Sequence, residues 1–381
     1  MAGQLTFDHA QLSIPAKLRQ LPVFFILLVL ALGGIGVVAL YSAANGSFQP
    51  WAARHLERFG VGLAVMLGLS LVDIRVWYRA AYPIYFAMLL LLAGVEVAGK
   101  VGGLGAQRWL DVGFGVQIQP SELMKIALVL GLARYFHIAS SEDPGRLVRL
   151  IAPALMIAVP TILVLLQPNL GTAIMLSLVG AAMLFVGGAR IWLFILGLAA
   201  LPVAGMVAWR FMHDYQQRRV LTFLDPSADP LGAGYHITQS RIALGSGGLF
   251  GKGFLNGTQS HLNFLPEKQT DFIFPLFAEE WGLWGCVVLL GLFALVAYYG
   301  IVVGLRSRNH FGRMLAIGLS VNLFLYVFIN MAMVMGLIPV VGVPLPLISY
   351  GGTSMLAVMI GFGLLISALI HRDVRFGRRD D

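Results

Sequence analysis

Charge is scarce in this sequence: Asp, Glu, Lys and Arg supply 12% of its 381 residues, about half of the quarter that soluble domains carry. Cysteine is scarcer still. The single Cys286 excludes a disulfide within the chain and any CxxC metal or redox motif. No basic stripe interleaved with aromatics occurs, so the net charge of +8 does not point to nucleic acid. No polar stretch outside the apolar runs is long enough to build a soluble domain, residues 213–274 excepted, and no tandem repeat or low-complexity tract is present. What fills the chain instead is apolar: 58% of residues are hydrophobic and the mean hydropathy is +0.83. Water alone cannot be the solvent of such a chain. Glycine, 45 residues, is also abundant, and in lipid small residues let helices approach closely.

Apolar runs of spanning length recur at 22–43, 58–73, 80–98, 120–137, 150–167, 171–188, 191–212, 275–304, 314–336 and 353–370. A helix needs about 17–25 residues to cross a bilayer core of about 30 Å, so the fold class expected is an all-α integral membrane protein of about ten transmembrane helices. It forms one polytopic domain over 1–381, with 1–21 and 371–381 as terminal tails and 213–274 as a long extracytoplasmic loop between helices 7 and 8. The first run, preceded by Lys17 and Arg19, exceeds the 7–15 residues of a signal-peptide core and reads as a retained helix.

Orientation follows from the cations. Placing the N-terminus in the cytoplasm gives the inner segments Lys17, Arg19, Arg75, Arg79, Arg134, Arg146, Arg149, Arg190, Arg306, Arg308, Arg313, Arg372, Arg375, Arg378 and Arg379. The short outer loops then keep only Arg54, Arg58, Lys100 and Arg108. That bias puts both termini in the cytoplasm and 213–274 outside. Turn signals at Asp225-Pro226, Asp229-Pro230 and 245–253 break up the long loop. Between them Tyr235–Leu244 reads as a short amphipathic helix lying on the membrane surface.

Ionisable residues within lipid are costly, which makes each a functional candidate. Glu122 and Lys125, three apart at the start of the fourth helix, share one face and can pair. An ion pair that only fixes packing would read the same. Glu96, nearer a helix end, can reach the interface and is set aside. Arg108 beside Trp109 offers a phosphate donor and an interfacial ring, or a plain interfacial anchor. In LPEKQTDFIF (265–274), Thr270 and Asp271 stand where loop becomes helix. Either serves well as a helix N-cap, and a carboxylate there also stands at a cavity mouth. The last outer segment, with Pro344, Pro346, Ser349, Tyr350, Gly351 and Gly352, is denied helix and is expected to line the same cavity. His236 and His261 are lone and read as ordinary loop residues.

These residues lie in long ordered blocks: GAQRWLDVGFGVQIQPSELMK (105–125), QPNLGT (167–172), the stretch 218–274 with GTQS at 257–260, AEEWGLWG (278–285) and VGVPLPLISYGGTSM (341–355). In them, and over nearly its whole length, the chain resembles the SEDS family, and its elongation branch more than its division branch. The resemblance implies a peptidoglycan glycosyltransferase of the bacterial inner membrane. It would polymerise lipid II into β-1,4 glycan with undecaprenyl pyrophosphate as leaving group. It also implies that Asp271 is essential and that Arg108, Trp109, Glu122 and Lys125 matter. The implied partners are lipid II, the undecaprenyl-pyrophosphate-linked glycan, a class B penicillin-binding protein and the elongation proteins MreC and MreD.

For these residue types the chemistry is workable. One general base suffices when the leaving group needs no protonation, and Asp271 can take the proton of the attacking hydroxyl. Arg108, Lys125, Arg219, Arg241 and Lys268 are the cations available to meet pyrophosphate. No cofactor is required by the residues. A divalent cation (Mg2+ or Mn2+) ligated by Asp271 is the open alternative to a base. A lipid-precursor flippase or transporter, a division-type polymerase and a scaffold are the rival readings.

Overall fold

The computed structural model describes residues 13–98, 100–101, 107–111, 117–139, 147–212, 214–225, 233–262, 264–265 and 267–374. Of the sequence features above, Arg146, Arg375, Arg378, Arg379 and the turn at 226–230 lie outside these residues. A short helix, α1 (Ile14–Arg19), opens the chain, followed by α2 (Val23–Ala43), α3 (Trp51–Ser70) and α4 (Ile74–Ala98). Three short strands come next, β1 (Lys100–Val101), β2 (Gln107–Asp111) and β3 (Gln117–Ile118), forming an antiparallel sheet in the order β1-β2-β3. Then come α5 (Pro120–Ala139), α6 (Leu147–Leu166), α7 (Leu170–Val186) and α8 (Ile191–Phe211). Three further helices, α9 (Asp214–Leu224), α10 (Ala233–Ser246) and α11 (Thr258–His261), lead to α12 (Ile273–Arg306), α13 (His310–Val334) and α14 (Gly352–Ile370).

Every apolar run coincides with a helix, because a segment in lipid has nowhere to bond its backbone except within itself. Among the described residues, α2, α4, α6, α12, α13 and α14 are long and apolar enough to cross a membrane. α7 and α8 are apolar with shorter qualifying stretches, Leu170–Val186 and Ile191–Val203. α3 and α5 reach 20 residues each but carry charge: Arg54, Glu57 and Arg58 in one, Glu122, Lys125 and Arg134 in the other. Local chemistry marks the starts. Pro120 opens α5, where its missing N–H costs nothing. Asn169 caps α7 by accepting the Thr172 N–H at 3.4 Å.

α5, α13 and α14 form the centre, buried along most of their lengths, while α6 and α8 are largely exposed. The two ends of the bundle differ chemically. At one end Lys17 bonds the Leu71 carbonyl (2.8 Å), Arg134 the Arg79 carbonyl (2.9 Å) and the Arg308 N–H the Arg372 carbonyl (2.9 Å). The opposite end gathers the starts of α3, α5, α7, α12 and α14 with the ends of α2 and α13. There Thr353 bonds the Gln117 carbonyl at 3.3 Å, and Gly171 abuts the Val341 carbonyl.

Three features depart from the sequence expectations. First, the long segment 213–274 carries α9 and α11 besides α10, which coincides with the helix expected at Tyr235–Leu244. α10 has a protein partner as well: Ile237 and Ala243 are buried, and the Ser240 hydroxyl donates to the Val334 carbonyl at 2.6 Å, docking the helix on α13. Second, the β1–β3 sheet precedes α5, formed by a segment with no clean alternation to announce it. Third, α3 begins at Trp51, seven residues before its apolar run, because Ala52, His55 and Phe59 bury one face while Arg54, Glu57 and Arg58 stay exposed on the other.

α12 is broken at Gly282 (φ 65°, ψ −166°). The freed backbone groups are taken by the segment 247–253, which runs alongside: Lys252 N–H to Glu279 O (2.9 Å), Gly253 N–H to Glu280 O (3.1 Å), Leu283 N–H to Gly248 O (2.9 Å). A Cβ at 282 would stand 2.2 Å from Gly251 N. Gly282→Ala is therefore expected to lower the melting midpoint, by more than about 1 kcal/mol of stability, in detergent-solubilised protein; an unchanged melt would show that the kink tolerates a side chain.

Candidate active site

The site is built where α12 begins. Asp271 lies just before the residue that caps α12, Phe272, and that cap makes no side-chain hydrogen bond. The N-cap expectation for Asp271 and Thr270 is thereby corrected: Thr270 Oγ1 instead donates to the Glu267 carbonyl at 3.2 Å, closing a turn. Three successive backbone carbonyls in this segment are held from outside it. Gln269 O accepts from Tyr350 N–H (2.8 Å), Thr270 O from the Ser349 hydroxyl (2.6 Å) and Asp271 O from Asn330 Nδ2 (3.1 Å). The Ser349 hydroxyl also accepts from Leu345 N–H at 2.8 Å.

The outer segment 340–351 thus packs against Asp271, as its denied helix implied. Gly342 adopts φ +71°, conformation suited to glycine, and a Cβ there would stand 3.5 Å from Asp271 Oδ2. The carboxylate faces this backbone and is half-buried. Lys268, three residues earlier, is 6% exposed, and burial pushes its ammonium below the usual lysine range.

Beneath Asp271 lies the ion pair anticipated from spacing. Lys125 Nζ is 2.6 Å from Glu122 Oε1, and the two side chains are 1% and 6% exposed. Sequence spacing could not supply its third member, Tyr326 of α13. The Tyr326 hydroxyl donates to the other Glu122 oxygen, and its ring lies 4.0 Å below Lys125 Nζ. Met175 Sδ of α7 stands 3.8 Å from the same ammonium. Asn330, which bonds the Asp271 carbonyl, follows Tyr326, which bonds Glu122, by four residues, about 6 Å or one turn along α13.

The remaining predicted cations go to different places. Arg241 is occupied at the end of α13, bonding Met335 O (3.2 Å) and Gly336 O (2.9 Å). Arg108 lies in β2 beside half-buried Trp109, and Arg219 lies in α9; the side chains of both fall outside the described residues. One cation not singled out from sequence does reach the site. Arg58 of α3 is exposed and stacks on the Tyr350 ring at 4.7 Å, beside Gly352. Only the fold brings residues 58 and 350 together; no local signal could have found the pair.

Two buried carboxylates were missed as well. Glu279 accepts from Lys252 Nζ (2.7 Å), Thr258 Oγ1 (3.1 Å) and Gln259 N–H (3.0 Å), which fastens α11 to α12. Glu280 bonds the Ser42 hydroxyl and lies 3.3 Å from His261, which is itself 2.7 Å from Asn45 Oδ1. His261 is therefore no idle loop residue but a bridge between α11, α12 and the end of α2. Among the described residues no three His, Cys, Asp or Glu side chains converge as a metal-binding group. A divalent ion at Asp271 would rest on that carboxylate with backbone, water and substrate oxygens.

Comparison with known proteins bears on this arrangement. A family model described as "Cell cycle protein", covering FtsW, RodA and SpoVE, matches residues 20–374. Peptidoglycan glycosyltransferase MrdB of Escherichia coli (strain K12) is 45% identical over 350 residues, 91% of this chain and 93% of that protein. A probable peptidoglycan glycosyltransferase FtsW of Trichlorobacter lovleyi is 36% identical over 369 residues, 93% and 94% of the two chains. Among solved structures, a chain from work on polymerization and crosslinking by a peptidoglycan synthase complex superposes with a TM-score of 0.78 at 33% identity, covering 95% of this chain and 99% of that one. The rod shape determining protein RodA of Thermus thermophilus gives 0.70 at 30% identity, over 93% and 98%.

Proposed function

This chain belongs to the SEDS family of cell cycle proteins, that of FtsW, RodA and SpoVE, and from that premise we propose that Asp271 serves as its general base in joining lipid II units into glycan. The chain is a multi-pass membrane protein and a peptidoglycan glycosyltransferase. Identity of 45% to MrdB against 36% to the FtsW relative favours a role in elongation and rod shape. The observation that carries the reading is the placement of the Asp271 carboxylate beside Gly342, at the bundle end opposite the cation-rich one. Positive-inside bias makes that end periplasmic and both termini cytoplasmic, in the bacterial inner membrane. The division of 1–381 into a single domain with a functional outer segment at 213–274 belongs to the same reading.

In this scheme Asp271 accepts the proton of the GlcNAc 4-hydroxyl as it attacks the anomeric carbon of the growing chain's MurNAc. Undecaprenyl pyrophosphate departs from the opposite face, so an α-linked donor becomes a β-1,4 bond. No acid is needed to protonate such a leaving group, but its charge must be met. Lys125 is balanced by Glu122 and Arg241 bonds helix-end carbonyls; the exposed Arg58 on the Tyr350 ring, with Arg108, Arg219 and Lys268, makes up the cation set of this reading for pyrophosphate. Trp109, Thr270, Ser349 and Tyr350 then shape the walls of the site. A class B penicillin-binding protein, with MreC and MreD, is the partner set this reading implies.

The test is to supply lipid II to purified protein with its penicillin-binding partner and to look for glycan strands. Strands support the reading; lipid movement across the bilayer without strands would replace it with the flippase. Arg58→Ala is expected to lower kcat/KM about 10- to 100-fold, the cost of one charge-assisted hydrogen bond. Arg58→Lys should recover part of it, and unaltered kinetics in Arg58→Ala would remove this residue from the pyrophosphate site.

A further inference from the structure

Asn330 stands in the middle of an apolar stretch of α13 and is 0% exposed. An amide in such a place costs stability unless its hydrogen bonds are made. Both Nδ2 bonds are made, and to two different segments: Asp271 O at 3.1 Å and Val343 O at 2.7 Å. Its Oδ1 is buried without a hydrogen-bond partner among the described residues. Two carbonyls facing the same terminus leave no choice of amide orientation, because the flipped form would set oxygen against oxygen. The side chain is thus used for its pair of donors and for nothing else. A leucine would fill the space without the orphaned oxygen.

We infer that Asn330 is a positioning residue for Asp271, bridging the segment that carries the carboxylate and the outer segment that faces it. This rests on the base reading of Asp271 and deepens it. Val343 follows Gly342, at which a Cβ would stand 3.5 Å from Asp271 Oδ2, so one NH2 group joins the segment carrying the carboxylate to the wall that faces it. Tyr350 N–H and the Ser349 hydroxyl hold the two preceding carbonyls, but both belong to the outer segment itself. Asn330 alone of these three donors belongs to a helix of the buried core. It therefore ties the register of both segments to α13, one turn along that helix from Tyr326, the residue that bonds Glu122.

The role is tested in full-length protein copurified with its penicillin-binding partner, by measuring kcat and KM for lipid II and the melting midpoint. Asn330→Asp keeps the side-chain volume and loses the paired donors; Asn330→Ala removes the group. Both are expected to lower kcat about 10- to 100-fold, the scale of a misplacement near 1 Å, with KM within about threefold of the parent. If Asn330→Ala melts early, the Asp variant decides. Asp271→Asn runs alongside. Parental kcat in Asn330→Asp with an inactive Asp271→Asn overturns the positioning role alone, as does a loss in Asn330→Asp confined to KM. Full activity in Asp271→Asn overturns both.

Discussion

Asp271→Asn is expected to abolish glycan polymerisation while the protein still folds and binds its partner. General-base catalysis contributes about 10²–10⁴ in rate, and an amide of the same shape cannot take the proton. The structural reason to expect a folded variant is that the segment is held by its backbone. Gln269 O, Thr270 O and Asp271 O accept from Tyr350, Ser349 and Asn330, and these three bonds are not altered by the substitution. The measurement is strand formation from lipid II by the purified complex, with copurification of the partner as the control. Polymerisation at the parental rate would remove Asp271 from the chemistry and leave the position as part of the wall.

Lys125→Met carries the second large effect, this time on stability. Glu122 and Lys125 are both buried, and among the described residues Tyr326 alone would remain to bond the Glu122 side chain. Removing one partner of such a pair leaves an uncompensated charge and costs about 3–5 kcal/mol, whereas replacing both is far milder. The single variant should therefore melt well below the parent in detergent, and Glu122→Gln combined with Lys125→Met should recover most of the loss. Gln retains an acceptor for the Tyr326 hydroxyl, which keeps α5 attached to α13. Equal melting of the single variant and the parent would show that the pair does not hold the two helices together.

Much of this protein was legible without coordinates. The apolar runs located every long helix, since a bilayer leaves the backbone one solution and the requirement is written locally. Cation bias divided the two ends, and the structure gathers Lys17, Arg134 and Arg308 at the same one. The i, i+3 spacing of Glu122 and Lys125 announced their ion pair, which closes at 2.6 Å. Asp271 was found at a boundary between polar and apolar sequence.

What the sequence alone could not reveal has one character: it joins residues far apart in the chain. Tyr326 completes a cluster begun 204 positions earlier, Arg58 meets Tyr350, and Asn330 bridges Asp271 and Val343. The kink at Gly282 and the docking of α10 on α13 likewise depend on groups supplied by other segments. Chain order and hydropathy determined that the long helices form, in what order they follow and which end is basic. Only the packed bundle decided which polar side chains share a site, because a hydrogen bond is set by distance and direction in space, and neither is encoded in any one stretch of sequence.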